Sequence, residues 1–207
     1  MSTADNRTQA GQEAETEVEI SEESLNELRL VRREKLKKLQ QMGRNPFLVE
    51  TWDVTDHSQD IKDKFDEMEG KEVTCAGRIM AKRQMGKASF IDIQDKQSRI
   101  QCYIRQDAIT PEEYEIFLTY DIGDIVGVIG EVFKTKHGEI SIKCHEIKLL
   151  SKSLQILPSK WHGLKDQDTR FRQRYVDLIV NPEVRNTFVL RSKIIHAIKD
   201  VLENDYG

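Results

Sequence analysis

Cysteine and proline are scarce in this chain, with 3 Cys and 4 Pro among 207 residues. Cys75, Cys102 and Cys144 form no Cys-x-x-Cys pair and have no histidine at ligand spacing, so a disulfide-stapled scaffold and a zinc ribbon are both excluded. Long apolar runs are missing too. The longest, such as residues 125–130, fall far short of the roughly 20 residues that span a bilayer, so no membrane partner is expected. The N-terminus has no basic patch, apolar core and small-residue cleavage site of a secretory signal, which implies a chain that stays in the reducing cytosol. Each cysteine sits in a strand-like alternation and is expected to be a small buried thiol.

Catalytic signatures are also lacking. There is no Gly-x-x-x-x-Gly-Lys phosphate loop, no Gly-x-Ser-x-Gly elbow and no His-Glu-x-x-His. The five histidines are scattered and read as surface residues, so neither a catalytic residue nor a metal site is assigned.

What the chain does contain is a soluble composition, 38% hydrophobic and 33% charged, and a length that suits one large or two small domains. Its net charge of -4 is unevenly spread. Residues 1–24 hold seven acids and one base, a local -6, so the remainder sums to +2. Residues 1–20 carry too few large apolar side chains to offset ordering entropy and read as a disordered acidic tail.

An N-terminal helical segment over 21–70 follows. Ser24 and Glu27 form a capping-box pattern, Leu25, Leu28, Leu36 and Leu39 recur at helical spacing, and Gly43 and Pro46 stop the run, which predicts a helix over about 24–42. Between Leu25 and Arg44 lie seven bases against two acids. Arg29, Arg33 and Lys37 belong to this set, which is either a solvated helix face or a phosphate-contacting one. A second short helix is predicted near 58–69, with Ile61, Phe65 and Met68 on one face.

Residues 71–150 change to a period of two. Val73, Cys75, Gly77 and Ile79 mark one strand, Phe90, Ile91 and Ile93 a second, Ile100, Cys102 and Ile104 a third, Val126, Val128, Gly130 and Val132 a fourth, and Ile140, Ile142 and Cys144 a fifth. Thr110, Pro111 and Glu113 start a helix between the third and fourth. Five strands with one helix in that place predict a mostly β, α+β molecule built on a five-stranded OB-fold barrel. Residues 151–174 read as a polar linker. Within 175–207 a helix is expected to about Asn204, with Asn181 as N-cap, Pro182 at N1 and an apolar face of Val184, Phe188, Ile195, Ile198 and Leu202 that has no partner within the chain.

Barrels of this type bind single-stranded nucleic acid with exposed aromatic rings and flanking bases. Residues 78–87 supply Arg78, Lys82, Arg83 and Lys87 with no acid, and lead into Phe90. Gln101 and Tyr103 alternate with the core positions of the third strand, and Glu139 opens the fifth out of phase with Ile140 and Ile142. Uracil presents two carbonyl acceptors and one imino donor, so a site reading it needs an Arg or Gln donor, a Glu acceptor and a ring to stack on. The pattern alone leaves Phe90 open between core and stacking surface, and Arg83 and Gln101 between site and solvated surface.

Longer strings narrow this. RREKLKKLQQMGRNPF, GRIMAKRQMGKASFIDIQD, RIQCYIR and, most specifically, LPSKWHGLKDQDTRFRQRYVDLIVNPEVRNTFVLRSKII resemble the N-terminal part of bacterial-type class II lysyl-tRNA synthetases over almost everything after the acidic tail. The resemblance implies that Arg83, Phe90, Gln101 and Glu139 are the anticodon-reading positions, with Phe90 stacking on the central uracil of a uracil-rich tRNA(Lys) anticodon. It implies that residues 182–204 are the motif 1 helix at the opening of the catalytic domain, which packs across a homodimer interface. The parent would attach lysine to tRNA using ATP and magnesium. Motifs 2 and 3 would lie beyond Gly207, so this chain alone is expected to hold no cofactor and to be inactive. The alternative is a free-standing RNA-binding OB module.

Overall fold

The computed structural model describes residues 22–158 and 166–206. The predicted acidic tail and residues 159–165 of the predicted linker lie outside the described residues. Helix α1 runs over Glu22–Gln41 and is followed by a short turn of 3-10 helix at Pro46–Leu48. The leucine face of α1 is only partly covered: Leu39 is buried, but Leu28 is 45% exposed. Polar contacts do the rest. The Arg32 guanidinium donates to the carbonyls of Ile122 (3.0 Å), Ser153 (3.1 Å) and Gln155 (2.7 Å), and the Lys35 ammonium donates to Asp121 at 2.6 Å.

The predicted second helix is divided at Lys64 into α2, Ser58–Asp63, and α3, Phe65–Met68, while Ile61 and Met68 remain on the buried side as the spacing requires. The cap of α2 comes from far along the chain. Asp95 accepts from the Ser58 amide and hydroxyl, both at 2.7 Å, and from the amides of Gln97 (2.7 Å) and Ser98 (2.8 Å). Burial alone would raise the pKa of this carboxyl, but those four bonds outweigh it and hold the group below the usual carboxylate range.

The strands β1 (Glu72–Met85), β2 (Ala88–Gln94), β3 (Arg99–Arg105), β4 (Ile125–Lys134) and β5 (Ile140–Ser151) close into a barrel in the order β1-β2-β3-β5-β4, with β3 and β5 parallel and the other pairs antiparallel. This is the OB arrangement, and α4 (Pro111–Leu118) sits between β3 and β4 in sequence. Thr110 caps α4 by accepting from the Glu113 amide at 3.2 Å. The inward half of the alternation forms the core: Val73, Cys75, Ile79, Ile91, Ile93, Ile100, Cys102, Ile104, Val126, Val128, Val132, Ile142 and Cys144 are all buried. Strand glycines allow the walls to approach. A Cβ on Gly77 would lie 2.9 Å from the Gln94 carbonyl oxygen, and one on Gly130 would overlap the Lys143 carbonyl.

The regular alternation breaks once on β1. The β1–β2 register shifts between Ile79 and Ala81, so Met80 is an extra residue, a bulge. Counting by twos from inward Ile79 would put Lys82 outside and Arg83 inside. After the bulge, Lys82 is instead opposite inward Ile91, and Arg83 is opposite outward Phe90.

Beyond β5 the expected linker is already helical at its end, with α5 over Gln167–Arg172 and α6 over Arg174–Val180. Fully buried Asp177 explains α6: it accepts from Arg170 at 3.0 Å, from Asn181 at 2.6 Å and from Arg174. Asn181 therefore stands at the N-cap position of α7, Pro182–Asn204, but its side chain donates to Asp177 and makes no capping bond. No residue of α7 is buried, and its apolar face, including Phe188, Ile195, Ile198 and Leu202, is open. Among the described residues no helix is long and apolar enough to cross a membrane.

Candidate nucleic-acid interface

Phe90 is not a core residue. On β2 the buried positions are Ser89, Ile91 and Ile93, so Phe90 and Asp92 face outward, half-buried, as do Gln101 and Tyr103 on β3. Backbone register then sets the neighbours. Arg83 lies opposite Phe90, Phe90 opposite Tyr103, and Gln101 between Asp92 and Ser141. The Phe90 and Tyr103 rings are 4.9 Å apart at a tilt of 31°, and Phe133 continues the series 6.1 Å from Tyr103.

Arg83, Phe90, Gln101 and Glu139 line one depression of about 600 Å³, together with Asp92, Arg99, Thr135, His137 and Lys62 from α2. Each polar member is steered. The Ser141 hydroxyl donates to Oε1 of Gln101 at 3.2 Å, which leaves the Gln101 amide N–H groups as the free donors. Arg83 lies 3.8 Å from Asp92, which draws its guanidinium over the sheet. Glu139 is set by the β4–β5 loop, where its amide donates to the Thr135 hydroxyl (3.0 Å), its carbonyl accepts from the Thr135 amide (2.9 Å), and Gly138 supplies the left-handed turn at φ 87°. The site therefore offers a ring face, donors and a carboxylate acceptor within one open hollow. Among the described residues no group of His, Cys, Asp or Glu is placed to hold a metal ion.

The basic run of β1 divides. Lys87 is exposed beside the hairpin tip, whereas Lys82 and Arg78 are half-buried, donate to carbonyls of the barrel and do not line the hollow. Lys82 passes 4.7 Å above the Phe117 ring and donates to the carbonyls of Phe117 (3.0 Å), Leu118 (2.9 Å) and Tyr120 (2.9 Å), closing the C-terminal end of α4. Burial lowers its pKa to about 8, with Asp121 opposing, so it is a cation at neutral pH. Arg78 donates to the Gly123 carbonyl at 2.6 Å. On α1, Arg33 and Lys37 are exposed, while half-buried Arg29 donates to Asn26 at 2.9 Å. Sequence pattern did not mark Lys62, Arg99 and His137 as lining residues. For Lys62 no local signal exists, since only the docking of α2 against β3 brings it there.

Beneath the barrel the Lys152 ammonium, almost fully buried, bonds Asp121 at 2.5 Å and Asp124 at 2.7 Å. Burial would raise the pKa of Asp121, but hydrogen bonds from Lys152 and Lys35 outweigh it and keep the carboxyl low. This knot ties the end of β5 to α1 and to the turn before β4.

Residues 73–150 match the family described as OB-fold nucleic acid binding domain, tRNA anti-codon. Over 182 residues, 88% of this chain, the sequence is 58% identical to the lysine–tRNA ligase of Thermoanaerobacter pseudethanolicus, covering 36% of that protein. The corresponding protein of Moorella thermoacetica is 53% identical over 88% of the chain and 37% of its own length. That of Clostridium perfringens strain SM101 is 50% identical over 92% of the chain and 38% of its own length. The chain thus spans a little over a third of the curated relatives it matches.

Proposed function

We take the chain to be the N-terminal part of a lysyl-tRNA synthetase, and from that premise propose that its barrel binds tRNA(Lys) by the anticodon. Arg83, Phe90, Gln101 and Glu139 read a uracil: Phe90 stacks on the base, Arg83 and Gln101 donate to its carbonyls, and Glu139 accepts from its imino N–H. The observation that carries this reading is the convergence of the four side chains on one hollow, with the Gln101 oxygen already engaged by Ser141, which leaves its N–H groups as the donors on offer. Lys87 and the exposed Arg33 and Lys37 of α1 provide positive charge for the RNA backbone. The parent enzyme would activate lysine with ATP and magnesium in the cytoplasm as a homodimer, with α7 covered at the dimer interface. The 207 residues alone would not activate lysine.

An RNA hairpin bearing a uracil-rich anticodon loop tests the reading. It should bind more tightly than the same hairpin with the loop uracils replaced by cytosine, whose exchanged donor and acceptor no longer match. Phe90→Ala should weaken binding by about 1 to 3 kcal/mol, the worth of one base stack, with an unchanged circular dichroism spectrum. Equal affinity for both hairpins would overturn the assignment of Gln101 and Glu139.

A further inference from the structure

Five residues before Arg83 on β1, Arg78 borders a different cavity, of about 660 Å³, bounded by α1, the chain that leaves β5 and α6. Three cations line it, Arg29, Arg78 and Lys152, and among the described residues no carboxylate does. Lys152 is neutralised from behind by Asp121 and Asp124. The two guanidiniums have no such partner. Among the described residues Arg78 donates only to the Gly123 carbonyl, at 2.6 Å, and Arg29 only to the Asn26 side chain, at 2.9 Å. Asp124 acts on Arg78 through space alone, since its carboxylate oxygens accept from Lys152 and from the Ser153 and Asp121 amides. The Nε of Arg29 is moreover buried without a hydrogen-bond partner, the one side-chain nitrogen or oxygen of that kind among the described residues. An unmade bond at a buried charged donor carries the whole desolvation penalty, which an anion in the cavity would remove.

We propose that this cavity binds a small organic phosphate, with the phosphoryl group between Arg29 and Arg78 and the apolar part of the molecule against Leu157, Val176 and Ile179, which also line it. Guanidinium N–H groups meet phosphate oxygens in pairs, so two arginines on one cavity suit a dianion. The volume falls in the range of small-molecule sites. A phosphate of an RNA backbone has the same chemistry, but the cavity shares no lining residue with the Phe90 hollow, and Arg78 stands about 16 Å along β1 from Arg83. The site stands independently of the anticodon reading. Because α1, β1 and α6 each supply part of the wall, a bound molecule would fasten the N-terminal helix and the segment before α7 to the barrel.

The experiment titrates the full chain with phenyl phosphate and with inorganic phosphate, followed by calorimetry at constant ionic strength. Phenyl phosphate should bind at least tenfold more tightly than inorganic phosphate and should raise the melting temperature as its concentration rises. Arg29→Gln removes one guanidinium from an exposed helix, and Val176→Asp sets a carboxylate beside the phosphate. Each should weaken phenyl phosphate at least tenfold with an unchanged circular dichroism spectrum. No binding at millimolar concentration, equal affinity for the two phosphates, or an affinity unchanged in either variant overturns the site. With a uracil-rich RNA hairpin bound at saturation, the affinity for phenyl phosphate should stay the same. Displacement of phenyl phosphate by the hairpin overturns the small-molecule assignment and gives Arg29 and Arg78 to the RNA backbone.

Discussion

Asp95 shows how much one side chain can organise at a distance. Its carboxylate, 8% exposed, takes four hydrogen bonds that join the start of α2 to the β2–β3 turn, and α2 in turn delivers Lys62 to the rim of the hollow. Asp95→Asn replaces one acceptor oxygen with an N–H group that faces donors, so we expect a loss of about 2 to 3 kcal/mol in urea denaturation at neutral pH. The pH dependence has a fixed sign. Because the folded state holds the Asp95 pKa below its ordinary value, the unfolded chain takes up the proton first as pH falls. Its contribution is complete above about pH 5 and is lost progressively below about pH 4, and Asp95→Asn should flatten that part of the stability curve. Asp95 was not legible in the sequence as a cap, since its partner Ser58 is 37 residues away and nothing local distinguishes it from other turn aspartates. Phe90 was legible only in part: it adjoins Ile91, and strand alternation must send one of the two outward without saying which.

At the scale of the element, the most consequential feature is the Met80 bulge. Strand positions were readable because apolar residues recur every second place, and Val73, Cys75, Gly77 and Ile79 all face inward as that period requires. The same period carried past Ile79 misplaces Lys82 and Arg83, because a bulge is one residue with no composition of its own. Removing Met80 should make the register regular with Ala81 following Ile79, leaving Lys82 inward opposite Ile91 and Arg83 outward opposite Phe90. The expected result is RNA affinity close to that of the unaltered protein, because the pairs that face one another across β1 and β2 are kept. Met80→Ala, which keeps the residue count, should leave affinity unchanged. Denaturation and hairpin titration of the two variants check this. The short helices α5 and α6 escaped the sequence reading for a related reason: they are held by polar bonds to Asp177 and by the Asp166 cap, which leave no apolar periodicity to find.

On the scale of the whole molecule, the barrel is complete in itself and α7 is not. Phe188, Ile195, Ile198 and Leu202 lie open along 23 residues of helix, an apolar face of the kind that marks an interaction site. We expect the chain to self-associate through this face, seen as a sedimentation mass that rises with protein concentration. Ile195→Asp combined with Ile198→Asp should hold it at the monomer mass without altering hairpin affinity, since α7 contributes nothing to the lining of the hollow. The apolar spacing announced this face from the sequence.

The barrel wall divides labour by parity. Every second side chain is committed to the interior and cannot change without disturbing closure, while its neighbours carry no such obligation. If the outer row reads bases as proposed, a lineage could rewrite which letter is read one outward substitution at a time, at little cost to the fold beneath.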